Sequence, residues 1–103
     1  MITFTELKTR TENFWADKGF YENVTIEAQC DKLVEESEET REAILYEDIE
    51  SQMKEIGDVQ TVLINICKLK GFDLNKCLEM AYNKNLNRTG RFIDGKYVKN
   101  EGK

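Results

Sequence analysis

Histidine does not occur among the 103 residues of this chain. Its absence excludes Cys-His and Ser-His nucleophile pairs, histidine-ligated zinc and the Glu-x-x-His ligand pairs of di-iron bundles. Proline is absent too, and glycine is sparse before residue 57, so the strongest helix breakers are missing and long helices are favoured. Three cysteines, Cys30, Cys67 and Cys77, show no CxxC spacing; each sits beside apolar residues in a helix-like segment and reads as a buried thiol in a reducing compartment. No run of apolar residues is long enough to span a bilayer and the N-terminus lacks a signal-type apolar core, which predicts a cytoplasmic protein without membrane contact. No D-x-[DN]-x-[DN]-G loop is present, which excludes an EF-hand.

What the chain has in excess is acid in one place. The net charge is −5. Residues 35–58 alone carry ten acidic and two basic residues, whereas residues 84–103 carry six basic and two acidic ones. An acidic centre followed by a basic tail disfavours nucleic-acid binding, which needs a broad positive surface. It suits a metal-bound polyphosphate, with acids on the cation and bases on the phosphate oxygens. Without histidine, hydrolytic chemistry falls to carboxylates, and a metal would be a hard cation bound through oxygen.

The length fits a single domain over residues 1–103. Apolar spacing predicts an all-α fold of four helices, with the helical core over about 4–88. The first helix covers Phe4 to about Asp17, capped by Thr3 or Thr5 and stopped at Lys18-Gly19. The second starts near Asn23-Val24-Thr25 and ends around Tyr46, with Ile26, Cys30, Leu33, Val34, Ser37, Ile44 and Leu45 on its core side. The third runs from Asp48 to Lys70 with Gly71 as its stop. Ile49, Met53, Ile56 and Gln60 share a face of its first half, and its second half, TVLINICKL, is apolar nearly all round. Such a helix must be covered on every side, which predicts a central position and contact with a partner subunit. The fourth helix runs from the cap Asp73 to about Asn87. Asp94-Gly95, flanked by Phe92-Ile93 and Tyr97-Val98, predicts a short β-hairpin in the tail 89–103. Phe14, Trp15, Phe20 and Tyr21 read as core, with base stacking as the alternative.

Two acidic pairs share a spacing of three, Glu36 with Glu39 and Glu55 with Asp58. On a helical wheel started at Leu33, Glu36 falls at about 300° and Glu39 at about 240°, against an apolar stripe centred at about 50°. That places both on one shoulder of the helix, off the core face, with Glu35 extending the shoulder. The second pair sits where its helix turns from wet to buried. Antiparallel packing would bring the pairs together, since Glu39 and Glu55 are nearly equidistant from a turn near residue 47. Four converging carboxylates repel unless a cation intervenes; Mg²⁺ accepts six oxygens and activates water for attack on phosphorus. The alternative is a solvated acidic face, as in a non-catalytic helical adaptor for a basic partner.

The stretch KLVEESEE, followed by KEIGDV, resembles the paired motif of the MazG-like, all-α nucleoside triphosphate pyrophosphohydrolases. The match is Glu35-Glu36-Ser37-Glu38-Glu39, then Glu55-Ile56-Gly57-Asp58; Gln29 and Lys32-Leu33 fit the lead-in. The closing AYNKNLNRTGRFIDGKYVK resembles the C-terminus of short, often phage-encoded members. The resemblance implies a helical homodimer or homotetramer, dependent on Mg²⁺ with Mn²⁺ as a substitute, that hydrolyses (d)NTPs to the monophosphate and pyrophosphate. By the same resemblance Glu36, Glu39, Glu55 and Asp58 are metal ligands, and Glu35 is a further ligand or the group that orients the attacking water. Lys84 and Arg88, four residues apart, would contact phosphate, joined by Lys32 and by Lys96 and Lys99 from the hairpin. Phosphoribosyl-ATP and a guanosine alarmone are alternative substrates that would use the same metal site. Glu38, in place of the small residue usual between the glutamates, departs from the pattern.

Overall fold

Each long helix begins at a side chain that spends an oxygen on an orphan backbone N–H. In the computed structural model, which describes residues 1–100, α1 spans Phe4–Asp17 and opens with a reciprocal capping box: the Glu6 amide donates to Thr3 Oγ1 at 3.1 Å and the Thr3 amide to Glu6 Oε1 at 3.3 Å. It stops at Gly19, whose φ of 72° lies in the left-handed region. A further short helix, α2 (Phe20–Asn23), follows at once, so the described residues hold five helices where the sequence predicted four. One turn of four residues carries no apolar period, which is why spacing did not reveal it. Thr25 caps α3 (Ile26–Tyr46) by accepting the Ala28 amide at 3.0 Å. Asp48 caps α4 (Ile49–Lys70) by accepting the Ser51 amide at 2.9 Å, and these donated hydrogen bonds hold its carboxyl below the ordinary aspartate range.

Contacts divide the chain into two compact units, Met1–Asp73 and the part from Leu74 onward. In the first unit α3 and α4 are joined by only Glu47 and Asp48, so α4 returns along α3, and this pair makes the main packing interface. The α1 and α2 helices lie against α4. The second unit holds α5 (Leu74–Leu86) and an antiparallel hairpin of β1 (Gly90–Ile93) and β2 (Lys96–Lys99), in which Phe92 pairs with Tyr97. Its turn is Asp94-Gly95 with φ of 50° and 77°, the two left-handed residues that a two-residue hairpin needs. Residues 101–103 of the expected tail lie outside the described residues.

The sequence misplaced the inner face of α3. The side chains buried there are Gln29, Glu36 and Ala43, seven residues apart, while Cys30, Val34, Ile44 and Leu45 are exposed in the single chain. The inward face is thus rotated by roughly a quarter turn from the apolar stripe. The same inversion affects the first half of α4, where Ile49, Met53 and Ile56 are exposed. The TVLINICKL half behaves as expected, burying Val62, Ile64, Asn65 and Cys67. Of the cysteines only Cys67 is buried; Cys30 and Cys77 are exposed, a correction to the reading of three buried thiols. None forms a disulfide.

Because α3 carries one whole wall of this interface, its N-cap should register in global stability. Thr25→Ala should cost about 1 kcal/mol, read as a lower urea midpoint at an unchanged m value.

Candidate metal centre

Glu36 is only 5% exposed, although it is an acid in the middle of the most charged stretch of the chain. The sequence placed it on an outer shoulder; it points inward at α4 because the interface face of α3 is lined with polar and small groups, and apolar periodicity finds only the other face. Thr40, one turn further on, donates to the Glu36 carbonyl at 2.7 Å and lies 3.2 Å from the Glu55 carbonyl, so its hydroxyl bridges the two helices beside the acids. A close approach of α3 and α4 therefore sets the acids against one another.

Carboxylate oxygens from Glu36, Glu55 and Asp58 lie within 4.8 Å of one another, and so do oxygens from Glu35, Glu36 and Glu39. The two triplets share Glu36. Within this group Glu36 Oε1 and Glu55 Oε1 are buried and have no hydrogen-bond partner. A buried carboxylate oxygen without a donor is costly. Two of them on facing helices concentrate negative charge at one point of the interface. The residues fit a hard divalent metal: every donor is a carboxylate oxygen, and among the described residues no other acidic triplet meets this spacing.

Charge and burial leave their mark on titration. The Glu39 carboxyl is raised, chiefly by the charge of Glu36, with burial second. That of Glu55 is raised first by burial and then by the charges of Glu39, Asp58 and Glu36. Among the described residues the cation in contact with the cluster is Lys32, which donates to Glu35 at 2.7 Å and lies 3.3 Å from Glu36 Oε2. Its hydrogen bonds to these two glutamates push its pKa up to about 12. Lys32 thus engages one oxygen of Glu36 and leaves the other bare.

A cavity of about 310 Å³ opens from this cluster. Lys32, Glu36 and Asp58 line one part, and Trp15, Phe20, Gln29 and Asn65 line the rest. Trp15 and Phe20, read from the sequence as core, are half-buried and form part of this wall, with their rings 4.8 Å apart. Thr40 and Asn65 are site features that the spacing of charged pairs does not mark, and Gln29 is marked in the sequence only as part of the lead-in to the motif. The signal available for them was polarity inside otherwise apolar or small-residue faces, as with Asn65 in the middle of TVLINICKL.

Apart from Lys32, which lies beside the acids, the basic residues expected to meet phosphate belong to the second unit. Lys84 lies on the last turn of α5, but Arg88 lies beyond the helix end at Leu86, so the two are not one helical turn apart as the sequence suggested. Lys96 and Lys99 are the end residues of β2, three apart, which puts their side chains on opposite faces of the hairpin.

The family model of the MazG nucleotide pyrophosphohydrolase domain matches residues 24–92. The chain belongs to that family. No curated protein and no solved structure matches it. The MazG match spans α3, α4 and α5 with all the clustered acids, and it leaves out α1 and α2. Among the described residues the regular structure is helical apart from one small hairpin, and no helix is long and apolar enough to cross a membrane.

The acid cluster predicts an inverted pH dependence for the metal-free MazG domain. Well below the ordinary glutamate value of 4.5, Glu39 and Glu55 are protonated in both the folded and the unfolded chain. As the pH rises past that value the unfolded chain ionises first, because the folded pKa values are raised. The contribution of these two groups is therefore present at low pH and is lost as the pH climbs through their folded values. Thermal melts in EDTA between about pH 4 and pH 7 should show Glu55→Gln gaining on the native chain as pH rises, and added Mg²⁺ should reverse the ranking at neutral pH.

Proposed function

We propose that the chain is a Mg²⁺-dependent nucleoside triphosphate pyrophosphohydrolase, converting a (d)NTP and water to the (d)NMP and pyrophosphate. The observation that carries this reading is the pair of buried, unpartnered carboxylate oxygens on Glu36 and Glu55, two acids that meet across α3 and α4 with Asp58, where Glu36 and Asp58 also line a nucleotide-sized cavity. Membership of the MazG family supports the reaction class.

In this mechanism Glu36, Glu39, Glu55 and Asp58 hold the metal. Bound there, Mg²⁺, or Mn²⁺ in its place, would neutralise triphosphate charge and make nearby water more acidic. Glu35, held by Lys32, orients the attacking water and takes its proton. The water oxygen forms a bond to the α-phosphorus as the α–β bridging bond breaks, and pyrophosphate leaves with the electron pair. Lys84 and Arg88 hold the oxygens of the departing pyrophosphate, lysine as a point charge and arginine as a two-pronged donor. The remaining lysines of the set, Lys96 and Lys99, add positive charge on the hairpin. Catalysis is then positioning and electrostatic stabilisation, the usual route for attack at phosphorus.

The enzyme is read as a single catalytic domain acting as a homodimer or homotetramer. The apolar side chains left exposed on α3 and α4, among them Val34, Leu45, Ile49 and Met53, support assembly, because a contiguous exposed apolar surface marks an interface. Its nucleotide substrate is an intracellular metabolite, which supports action in the cytoplasm, the host's if the protein is phage-encoded.

Incubation with each common NTP and dNTP, with Mg²⁺ or with EDTA, should give monophosphate and pyrophosphate only when metal is present. Glu36→Gln and Glu55→Gln should each lower turnover by about a hundredfold or more while circular dichroism stays helical. Lys84→Ala should weaken nucleotide binding and leave Mg²⁺ affinity, read by calorimetry with the metal alone, unchanged. Full turnover by both glutamine variants would sink the site assignment.

A further inference from the structure

Beside the acids, the 310 Å³ cavity contains polar groups that the proposed chemistry does not use. Gln29 is 7% exposed and Asn65 only 2% exposed, and both line the cavity. Gln29 Oε1 is buried with no hydrogen-bond partner, and its own Nε2 is a donor on the same planar group. Asn65 differs in being oriented: the Tyr21 hydroxyl donates to its Oδ1 at 2.7 Å. That bond assigns the carbonyl of Asn65 to Tyr21 and leaves the Nδ2 amino group for the cavity. Burial, and then the charge of Glu12, raise the Tyr21 phenol above its ordinary value, so it stays a donor at neutral pH. The other polar side chains of the lining are engaged, Thr61 with the Gly57 carbonyl at 3.1 Å and Lys32 with Glu35 and Glu36. Trp15 and Phe20 supply an aromatic wall beside these amides.

We infer that this end of the cavity is a nucleobase subsite that selects pyrimidines, with Gln29 and Asn65 as the residues that read the base edge and Tyr21 as the residue that positions Asn65. The inference deepens the proposed function and rests on it for the location of the phosphates, which would lie at the Glu36 and Asp58 end.

The selection follows from counting donors and acceptors. The subsite offers two amide N–H₂ groups and one unpartnered carbonyl oxygen. A complementary base edge brings two acceptors and one donor. Uracil and thymine do so with two carbonyl oxygens around one N–H, and cytosine does so with its carbonyl oxygen, its ring nitrogen and its amino group. On its Watson–Crick edge guanine brings one carbonyl oxygen and two donors, which sets donor against donor, and its N7 and O6 edge brings two acceptors but leaves the carbonyl oxygen of Gln29 without a donor. Adenine brings one acceptor and one amino group, which leaves an amide donor unpaired. A buried polar group without a partner is penalised, so discrimination arises from what the wrong base leaves unpaired. The aromatic wall is indifferent to this choice, because every base has a face to stack.

The test is kcat/KM for pyrophosphate release from the pyrimidine and purine triphosphates, alongside quenching of Trp15 fluorescence by the monophosphates. Trp15 is the only tryptophan, so the optical signal reports this wall alone. The native chain should favour pyrimidines by about tenfold or more, with UMP and CMP quenching at lower concentration than AMP and GMP. Gln29→Met, which keeps length and removes both polar atoms, should shrink the preference mainly through KM. Tyr21→Phe, which frees the Asn65 amide to rotate, should narrow it as well and serves as the test if Gln29→Met does not fold. Equal turnover of purines and pyrimidines would overturn the inference and leave the proposed function standing. Absence of any turnover would overturn the proposed function, and the quenching series would then decide the subsite: selective quenching by UMP and CMP supports it, and equal or no quenching by all four overturns it.

Discussion

Everything in the first unit depends on a repulsion that the protein chain alone does not relieve. Glu36, Glu55 and Asp58 bring oxygens within 4.8 Å of one another at the interface of α3 and α4, and two of the glutamate oxygens there are sealed from water without a donor. Like charges at such a spacing in a partly desolvated setting oppose the packing that holds them together. The fold tolerates this because the opposing terms are placed close by: the Thr40 bridge between helices, the Lys32 pair on one oxygen of Glu36, and the apolar burial of Val62, Ile64 and Cys67 further along α4. The spacing of the acids is thereby held by neighbouring groups and not by the acids themselves.

The same constraint explains what could be read from the sequence and what could not. Helix boundaries were legible because they are written in local chemistry: Thr3, Thr25 and Asp48 each cap a helix, and Gly19 and Gly71 take the left-handed conformation where helices end. The Asp94-Gly95 turn was legible for the same reason. The acidic pairs were legible as pairs, since a spacing of three puts them on neighbouring positions whatever they face. Their orientation was not. Hydrophobic periodicity assumes that the apolar face is the inner face, and on α3 the inner face belongs to Gln29, Glu36 and Ala43. The residues that misled the reading, Cys30, Val34, Ile44 and Leu45, are apolar for a surface the single chain does not cover. A helix with a functional wall and a second apolar face carries two signals, and the apolar one is the louder.

Asn65 illustrates the same conflict at one residue. An amide within TVLINICKL lowers the apolar content of a helix that must be buried, and at 2% exposure it requires a partner. Tyr21 provides that partner from α2, the short helix that spacing did not reveal. Trp15 and Phe20 come from α1 and α2 as well. The family match begins at residue 24, so the acids lie inside the shared domain while the aromatic wall and the group that fixes Asn65 lie outside it. That division has a physical consequence. The clustered acids are set by the α3–α4 interface, where a shift of one helix would change the spacing of Glu36 to Glu55 and Asp58. The aromatic part of the cavity wall is carried by α1 and α2, which contribute none of the clustered acids. The two parts meet at Asn65, one buried side chain whose backbone belongs to α4 at the acid-bearing interface and whose orientation is set by Tyr21 from α2.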